Sequence, residues 1–322
     1  MAPAEDIVQL QNIKKHYAGG FWGGQRQTLR AVDGVSLSIR AGETLGLVGE
    51  SGCGKSTVGQ LASLLLPATD GTLVYNGKDI TGLSGPRARS MRRHMQYVFQ
   101  DPYTSLNPRL RIGELLEEPL KINRLGDSRE RKRQVDDMLL RIGLDPSYAR
   151  HYTHQLSGGQ RQRIGIARSL MLKPEFLVLD EPVSALDVSV QSQILNLLKD
   201  LQRELNLTYL FISHDLNVVH YMSDRVAVMY LGKIVEIAEV EDLYANPLHP
   251  YTKALVSAIP SENRREKREP IILKGDIPSP LDIPKGCAFQ TRCVHAHERC
   301  STEAPVLTGI REGHFVSCHL YT

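Results

Sequence analysis

Residues Gly49-Glu-Ser-Gly-Cys-Gly-Lys-Ser-Thr57 constrain the fold of this 322-residue chain more than any other stretch. The pattern Gly-x4-Gly-Lys-Ser is filled at every fixed position, and each position has a physical reason. Glycines let the backbone adopt positive φ and come close to a ligand. Consecutive N–H groups then point at phosphate oxygens, helped by the positive end of the helix that follows. Leu45–Val48 reads as a strand running into the loop, and Thr57–Leu66 as a helix that Pro67 ends. Strand, glycine loop and helix together are the setting in which such a loop cradles a nucleotide: Lys55 supplies charge to the β- and γ-phosphates and Ser56 a hydroxyl to Mg²⁺. The residues expected around the phosphates are Gly49, Glu50, Ser51, Gly52, Cys53, Gly54, Lys55, Ser56 and Thr57.

The flanking pattern supports an α/β core. Ile7–Leu10, Val35–Ile39 and Thr44–Val48 alternate or run apolar as strands do, with Gly19-Gly-Phe-Trp-Gly-Gly24 expected as a loop between the first two. Residues 103–172 are mostly helical by pattern, with apolar residues at helical spacing in Ile112–Leu120 and Arg129–Ile142. Phe176–Leu179 and Thr208–Ile212 are short, wholly apolar runs of the kind that form strands buried on both faces. Between them Val190, Ile194, Leu197, Leu198 and Leu201 mark an amphipathic helix. Val226–Tyr230 and Lys233–Ile237 read as a hairpin. Strands alternating with helices imply a parallel sheet. The charge run Ser261–Pro270 reads as a solvated linker, followed by a piece rich in proline and cysteine.

Composition removes several classes of function. A net charge of +3 is too small for a phosphate-backbone footprint, so no nucleic-acid partner is expected. No run approaches the ~18 apolar residues of a membrane span. Met1-Ala-Pro-Ala-Glu-Asp6 lacks the basic and apolar segments of a secretory signal, so the chain is expected in the cytoplasm, anchored by other subunits if it works at a membrane.

Three further segments carry chemistry. Asp180-Glu181 ends the Phe176 strand, where one carboxylate can hold Mg²⁺ and its neighbour can polarise a water. Gln100 and His214 end other strands, and ligands gather at that edge of a parallel sheet. Leu156-Ser-Gly-Gly-Gln160 opens the helix Gln160–Leu170 and forms a second anion site by its helix-terminal N–H groups. Two anion sites in one chain suggest a nucleotide clamped from two sides, the second side supplied by another subunit.

With these segments in order, the sequence resembles the ATP-binding-cassette (ABC) ATPases over roughly residues 7–240. The resemblance implies a nucleotide-binding domain with a RecA-like parallel core, an antiparallel β-subdomain and an inserted helical subdomain near residues 101–170. It also implies roles. Tyr17 stacks on adenine; Gln100 senses Mg²⁺ and the γ-phosphate; Ser56, Gln100 and Asp180 serve Mg²⁺. Glu181 is the general base and His214 contacts the γ-phosphate. Ser157, Gly159 and Gln160 of the signature close on a partner's ATP, and Ser184-Ala-Leu-Asp187 is the D-loop.

Phe99–Arg109, Glu181–Val190 and His249-Pro-Tyr-Thr252 are similar to the ATPases of bacterial dipeptide and oligopeptide importers, and Lys14-Lys-His-Tyr17 with Gly286–Cys293 to their F-type subunits. That resemblance implies a different ATPase as dimer partner, two membrane permeases, an extracytoplasmic solute-binding protein, and a place on the cytoplasmic face of the plasma membrane. Relatives import nickel, glutathione or sugars; a soluble cassette acting on nucleic acid or ribosomes is the rival class. Residues 241–322 correspond to a C-terminal extension bearing Cys287, Cys293, Cys300 and Cys318, spaced x5, x6 and x17. This spacing names no metal. Some relatives carry a [4Fe–4S] cluster on these cysteines; zinc, with His295 and His297 nearby in sequence, and free buried thiols are the alternatives. Cys53 reads as a small filler whose exposure would expose nucleotide binding to thiol reagents.

Overall fold

The computed structural model describes residues 5–22, 25–101, 105–259 and 269–321; side chains of residues 19–27 lie outside the description. The chain forms two compact units, residues 1–82 with 211–322, and residues 83–210. Most of the run Ser261–Pro270, expected as a linker, falls outside the described residues, as do positions 102–104 of the Phe99–Arg109 segment.

The first unit opens with two long strands, β1 (Asp6–Trp22) and β2 (Gln25–Arg40), paired antiparallel. The pairing continues to Phe21 opposite Arg26 and Trp22 opposite Gln25, so residues 19–22 of the segment expected as a loop are strand, while Gly23 and Gly24 lie outside the described residues. The Gly19-Gly20 pair reads as a loop by propensity, yet it sits at a register irregularity inside a strand pair that resumes at Phe21. Next come β3 (Thr44–Val48), α1 (Lys55–Ala62), β4 (Asp70–Tyr75) and β5 (Lys78–Asp79). Strands β1, β2, β4 and β5 form an antiparallel sheet in the order β2-β1-β4-β5. Helix α1 starts earlier and ends earlier than its apolar pattern suggests; Leu64 then takes a left-handed φ of 57°, which stops the helix before Pro67.

The second unit contains α2 (Gly85–Arg92), β6 (Met95–Val98), α3 (Ile112–Ile122), α4 (Ser128–Arg141), α5 (Gly158–Leu170), β7 (Phe176–Asp180) and α6 (Val188–Leu205). Strands β6 and β7 pair in parallel, Val98 opposite Leu179. All five residues of β7 are buried, as its unbroken apolar sequence requires. Strand β8 (Thr208–Ile212) carries the chain back to the first unit.

There α7 (Leu216–Met222), β9 (Arg225–Tyr230), β10 (Lys233–Glu239), α8 (Val240–Ala245) and α9 (Pro250–Ser257) follow. Strand β9 pairs in parallel with β3 and antiparallel with β10, the expected hairpin. The last part supplies α10 (Glu298–Thr302), β11 (Thr308–Arg311) and β12 (His314–Val316). Strand β12 adds to the edge of β10, with Val316 opposite Glu236. Glu236 anchors this junction. Its fully buried carboxylate accepts from the amides of Leu248 (2.7 Å) and His249 (2.8 Å) and is bonded to His314 Nε2 (2.7 Å). A buried carboxylate is tolerated only with donors of this number and quality. A second buried pair, Arg225 with Glu43 at 3.1 Å, ties β9 to the start of β3. Among the described residues no helix is long and apolar enough to cross a membrane.

Candidate nucleotide site

In the first unit, β3 delivers the chain into the Gly49–Thr57 loop and α1 leaves it. Gly49 has φ 154°, and a Cβ there would stand 2.2 Å from the Met229 carbonyl oxygen. Gly54 has φ 109°, and a Cβ would meet the Ala31 carbonyl oxygen at the same distance. Both positions exclude any side chain. The loop is thereby packed against the end of β9 and the middle of β2, and the Gly232 amide donates to the Cys53 carbonyl at 2.9 Å.

Lys55 is buried, and its Nζ donates to the carbonyls of Gly49 (2.8 Å) and Glu50 (3.0 Å). The ammonium is therefore held against the first two residues of the loop. Ser51, Gly52 and Ser56 are exposed around it, and Thr57 is half-buried. Glu50, expected among the phosphate-cradling residues, is committed elsewhere: its N–H donates to Tyr251 OH at 2.9 Å and its carboxylate accepts both terminal nitrogens of Arg292, at 2.8 and 3.0 Å. Cys53 is buried, 4% exposed, and burial pushes its thiol pKa up, so the expected exposure to thiol reagents does not hold. Its sulfur packs 3.9 Å from Lys55 Nζ.

Tyr17 lies on β1 with its ring partly exposed (38%), Lys15 Nζ 5.2 Å from the ring centroid. His214 is exposed just after β8. The next residue, Asp215, caps α7 by accepting from the amides of Asn217 and Val218.

In the second unit, three expected residues come together. Gln100 Nε2 donates to Glu181 Oε2 at 2.8 Å, and Asp180 is adjacent at the end of β7. Asp180 is buried and accepts from Tyr97 OH at 2.6 Å. Burial first, and the Asp180 charge second, push the Tyr97 phenol far above its ordinary pKa, so it is a permanent donor to that carboxylate. No motif singles out Tyr97; its position one residue before the end of β6 is the only sequence signal for it. Glu181 has φ 47°, left-handed for a residue with a Cβ, and such conformations persist where the surroundings impose them. Its carbonyl accepts from the amide (3.3 Å) and hydroxyl (3.1 Å) of Ser184, which fixes the turn.

The signature segment opens α5 as a capping box. Ser157 Oγ accepts from the Gln160 amide at 3.3 Å, and Gln160 Oε1 accepts from the Ser157 amide at 3.0 Å. Gly159 is required by packing, since a Cβ would lie 2.4 Å from Val190 Cγ1 at the start of α6. Asp187 caps α6 by accepting from the Val190 amide at 3.0 Å.

The four C-terminal cysteines are free thiols in the first unit. The Cys287 amide donates to the Cys300 carbonyl at 2.8 Å. Burial, and then the fields of Cys300, Cys318 and Cys293, push the Cys287 thiol up to about 11. Among the described residues no group of three or more His, Cys, Asp or Glu side chains could hold a metal ion as it stands.

Residues 32–184 match the ABC transporter family, and residues 235–300 match the oligopeptide/dipeptide transporter C-terminal region. The chain is 51% identical over 326 residues to the oligopeptide transport ATP-binding protein AppF of Bacillus subtilis, covering 100% of this chain and 99% of that one. It is also 51% identical over 312 residues to a putative peptide import ATP-binding protein of Brucella abortus, covering 97% of both. Among solved structures, the ATP-binding cassette MJ0796, a dimer in a post-hydrolysis state bound to ADP and Pi, is 31% identical with a TM-score of 0.65, covering 72% of this chain and 98% of that one. The cbiO1 subunit of the Clostridium perfringens cbiONQ transporter is 28% identical with a TM-score of 0.65, covering 75% of this chain and 92% of that one. Together with the glycine loop, the capping-box signature and the paired carboxylates, these likenesses place the chain in the ABC transporter family, as an ATPase of its oligopeptide/dipeptide transporter branch.

Proposed function

We propose that the chain is the ATP-hydrolysing subunit of an importer that takes up dipeptides or oligopeptides. The observation that carries this reading is the 51% identity to AppF over the whole of both chains, C-terminal region included. The ATPase works at the membrane through two permease subunits on their cytoplasmic side, fed by an extracytoplasmic solute-binding protein, and pairs with a second, different ATPase. The cassette ends near residue 240, and residues 241–322 form the cysteine- and proline-rich extension.

In this reading the Gly49–Thr57 loop holds the phosphates of ATP, with Lys55 leaving its loop carbonyls for the β- and γ-oxygens, and Tyr17 stacks on adenine. Oxygen ligands suit Mg²⁺, and Ser56, Asp180 and Gln100 offer them. Those residues would hold Mg²⁺, which would supply positive charge against the β- and γ-phosphates. Glu181, oriented by Gln100, takes a proton from the attacking water, and His214 contacts the γ-phosphate. Ser157, Gly159 and Gln160 face the partner's nucleotide. Phosphoryl transfer then rests on positioning and charge stabilisation, and closure of the dimer drives the permeases.

A [4Fe–4S] cluster on Cys287, Cys293, Cys300 and Cys318 is a separate part of the proposal. Its support is four thiols within one another's electrostatic reach. The segment would have to tighten to bind any ion. Iron and sulfide analysis of anaerobically purified protein tests it; a colourless protein with stoichiometric zinc, or with no metal, rejects it.

Co-expression with its permeases tests the main reading. The complex should show ATPase activity stimulated by peptide-loaded binding protein. Stimulation by nickel, glutathione or sugar carriers instead would replace the substrate, and stimulation by nucleic acid would replace the class.

A further inference from the structure

The second residue of the phosphate loop is gripped by residues more than 200 positions downstream. Glu50 is held at two points. Its backbone N–H donates to the hydroxyl of Tyr251, a fully buried side chain on α9. Its carboxylate receives the guanidinium of Arg292 in a two-pronged bond of 2.8 and 3.0 Å. The Arg292 side chain is 8% exposed and that of Glu50 24%, so this pair is far better shielded than an ordinary surface ion pair. The hydrogen bond to Glu50 is also the largest influence raising the Arg292 pKa.

The residues behind the grip are closely packed. Tyr230, Tyr251 and Phe289 form one aromatic block, with ring centroids 4.8 to 5.5 Å apart. The Arg292 guanidinium lies 5.9 Å from the Tyr230 ring centroid. The Arg292 amide donates to the Phe289 carbonyl at 3.1 Å, so backbone and side chain belong to the same tight turn. Phosphate binding by backbone N–H groups needs the loop held in one shape before the ligand arrives. The Glu50 amide, already given to Tyr251, serves that shape and contributes no bond to phosphate.

We propose that Arg292, through Glu50, is a positioning residue for the phosphate loop, so that the cysteine-bearing C-terminal segment sets the chain's affinity for nucleotide. The inference rests on the loop being the ATP site. The test is equilibrium titration of the full chain with a fluorescent ATP analogue and Mg²⁺, for wild type, Arg292→Gln, Glu50→Gln and the double variant, with thermal melting of the same samples. Arg292→Glu alone and the charge-swapped pair Arg292→Glu with Glu50→Arg are further arms.

Each single variant is expected to bind the analogue about 2- to 30-fold more weakly. The double variant should be no worse than the weaker single, and the swapped pair should regain affinity over Arg292→Glu alone. Thermal melting should show the Gln variants fully folded at the temperature of the titration. Wild-type affinity in Arg292→Gln would overturn the proposal. So would single losses that simply multiply in the double variant, or a binding loss that only follows loss of folded protein. Failure of wild type itself to bind the analogue would instead reject the loop as the ATP site, which separates the two claims.

Discussion

His249 gives the structure a defined weakness to acid. Its imidazole is 1% exposed, its Nδ1 accepts the Tyr251 amide at 3.1 Å, and its ring lies 5.5 Å from that of Phe289. Burial, opposed by the charge of Glu236 and assisted by that of Lys253, pushes its pKa from 6.5 down to about 4. In the folded state the ring stays neutral over a range in which the unfolded chain binds a proton. The stabilising contribution is therefore complete above about pH 6.5 and is lost as pH falls toward about 4. With about 1.4 kcal/mol per pH unit, the loss is about 2 kcal/mol at about pH 5 and about 3 kcal/mol at about pH 4. That is a large share of the roughly 5–15 kcal/mol that stabilises a domain. Urea unfolding at a series of pH values, for wild type and His249→Asn, isolates the effect. The Asn carbonyl can still accept the Tyr251 amide at the start of α9 but does not titrate. The gap between the two proteins should shrink on acidification as wild type loses stability faster. A gap independent of pH would refute the buried neutral imidazole.

Other expected outcomes follow from single contacts. Tyr97→Phe removes the donor to buried Asp180 and should cost about 1.5–3 kcal/mol by urea unfolding, and raise the Mg²⁺ concentration needed for half-maximal ATPase activity. Ser157→Ala removes the cap of α5, with an expected stability loss of roughly 1 kcal/mol beside any fall in ATPase activity of the assembled transporter; Ser157→Asp, also a good cap, should restore the stability alone. Arg225→Met strands buried Glu43, whose pKa is already raised by burial, and should cost about 3–5 kcal/mol, with the loss measured by denaturant midpoint at neutral pH.

Legibility in the sequence followed the range of the forces involved. Strand β7 and helix α6 were readable because burial on both faces, or on one, writes its period directly into Phe176–Leu179 and Val190–Leu201. The Gly49–Thr57 loop was readable because only glycine survives φ 154° and 109° at Gly49 and Gly54. The ribbon through Gly19–Trp22 was not, since its order comes from the facing strand. Cys53 looked exposed on a loop, yet the loop folds its sulfur inward against Lys55. Tyr97 and Arg292 were missed because each works on a residue 83 or 242 positions away, and no local pattern records such a pair. Glu181 was found by its place after β7, but its left-handed backbone was not, as nothing about glutamate announces it.

Hydrolysis of ATP with Glu181 as the base stands or falls with Glu181→Gln in the assembled transporter. Gln keeps the size of the side chain and a hydrogen bond with Gln100 while losing the ability to take a proton. ATP binding should equal wild type, and turnover should fall roughly 10²- to 10⁴-fold. Undiminished hydrolysis by that variant would contradict the assignment.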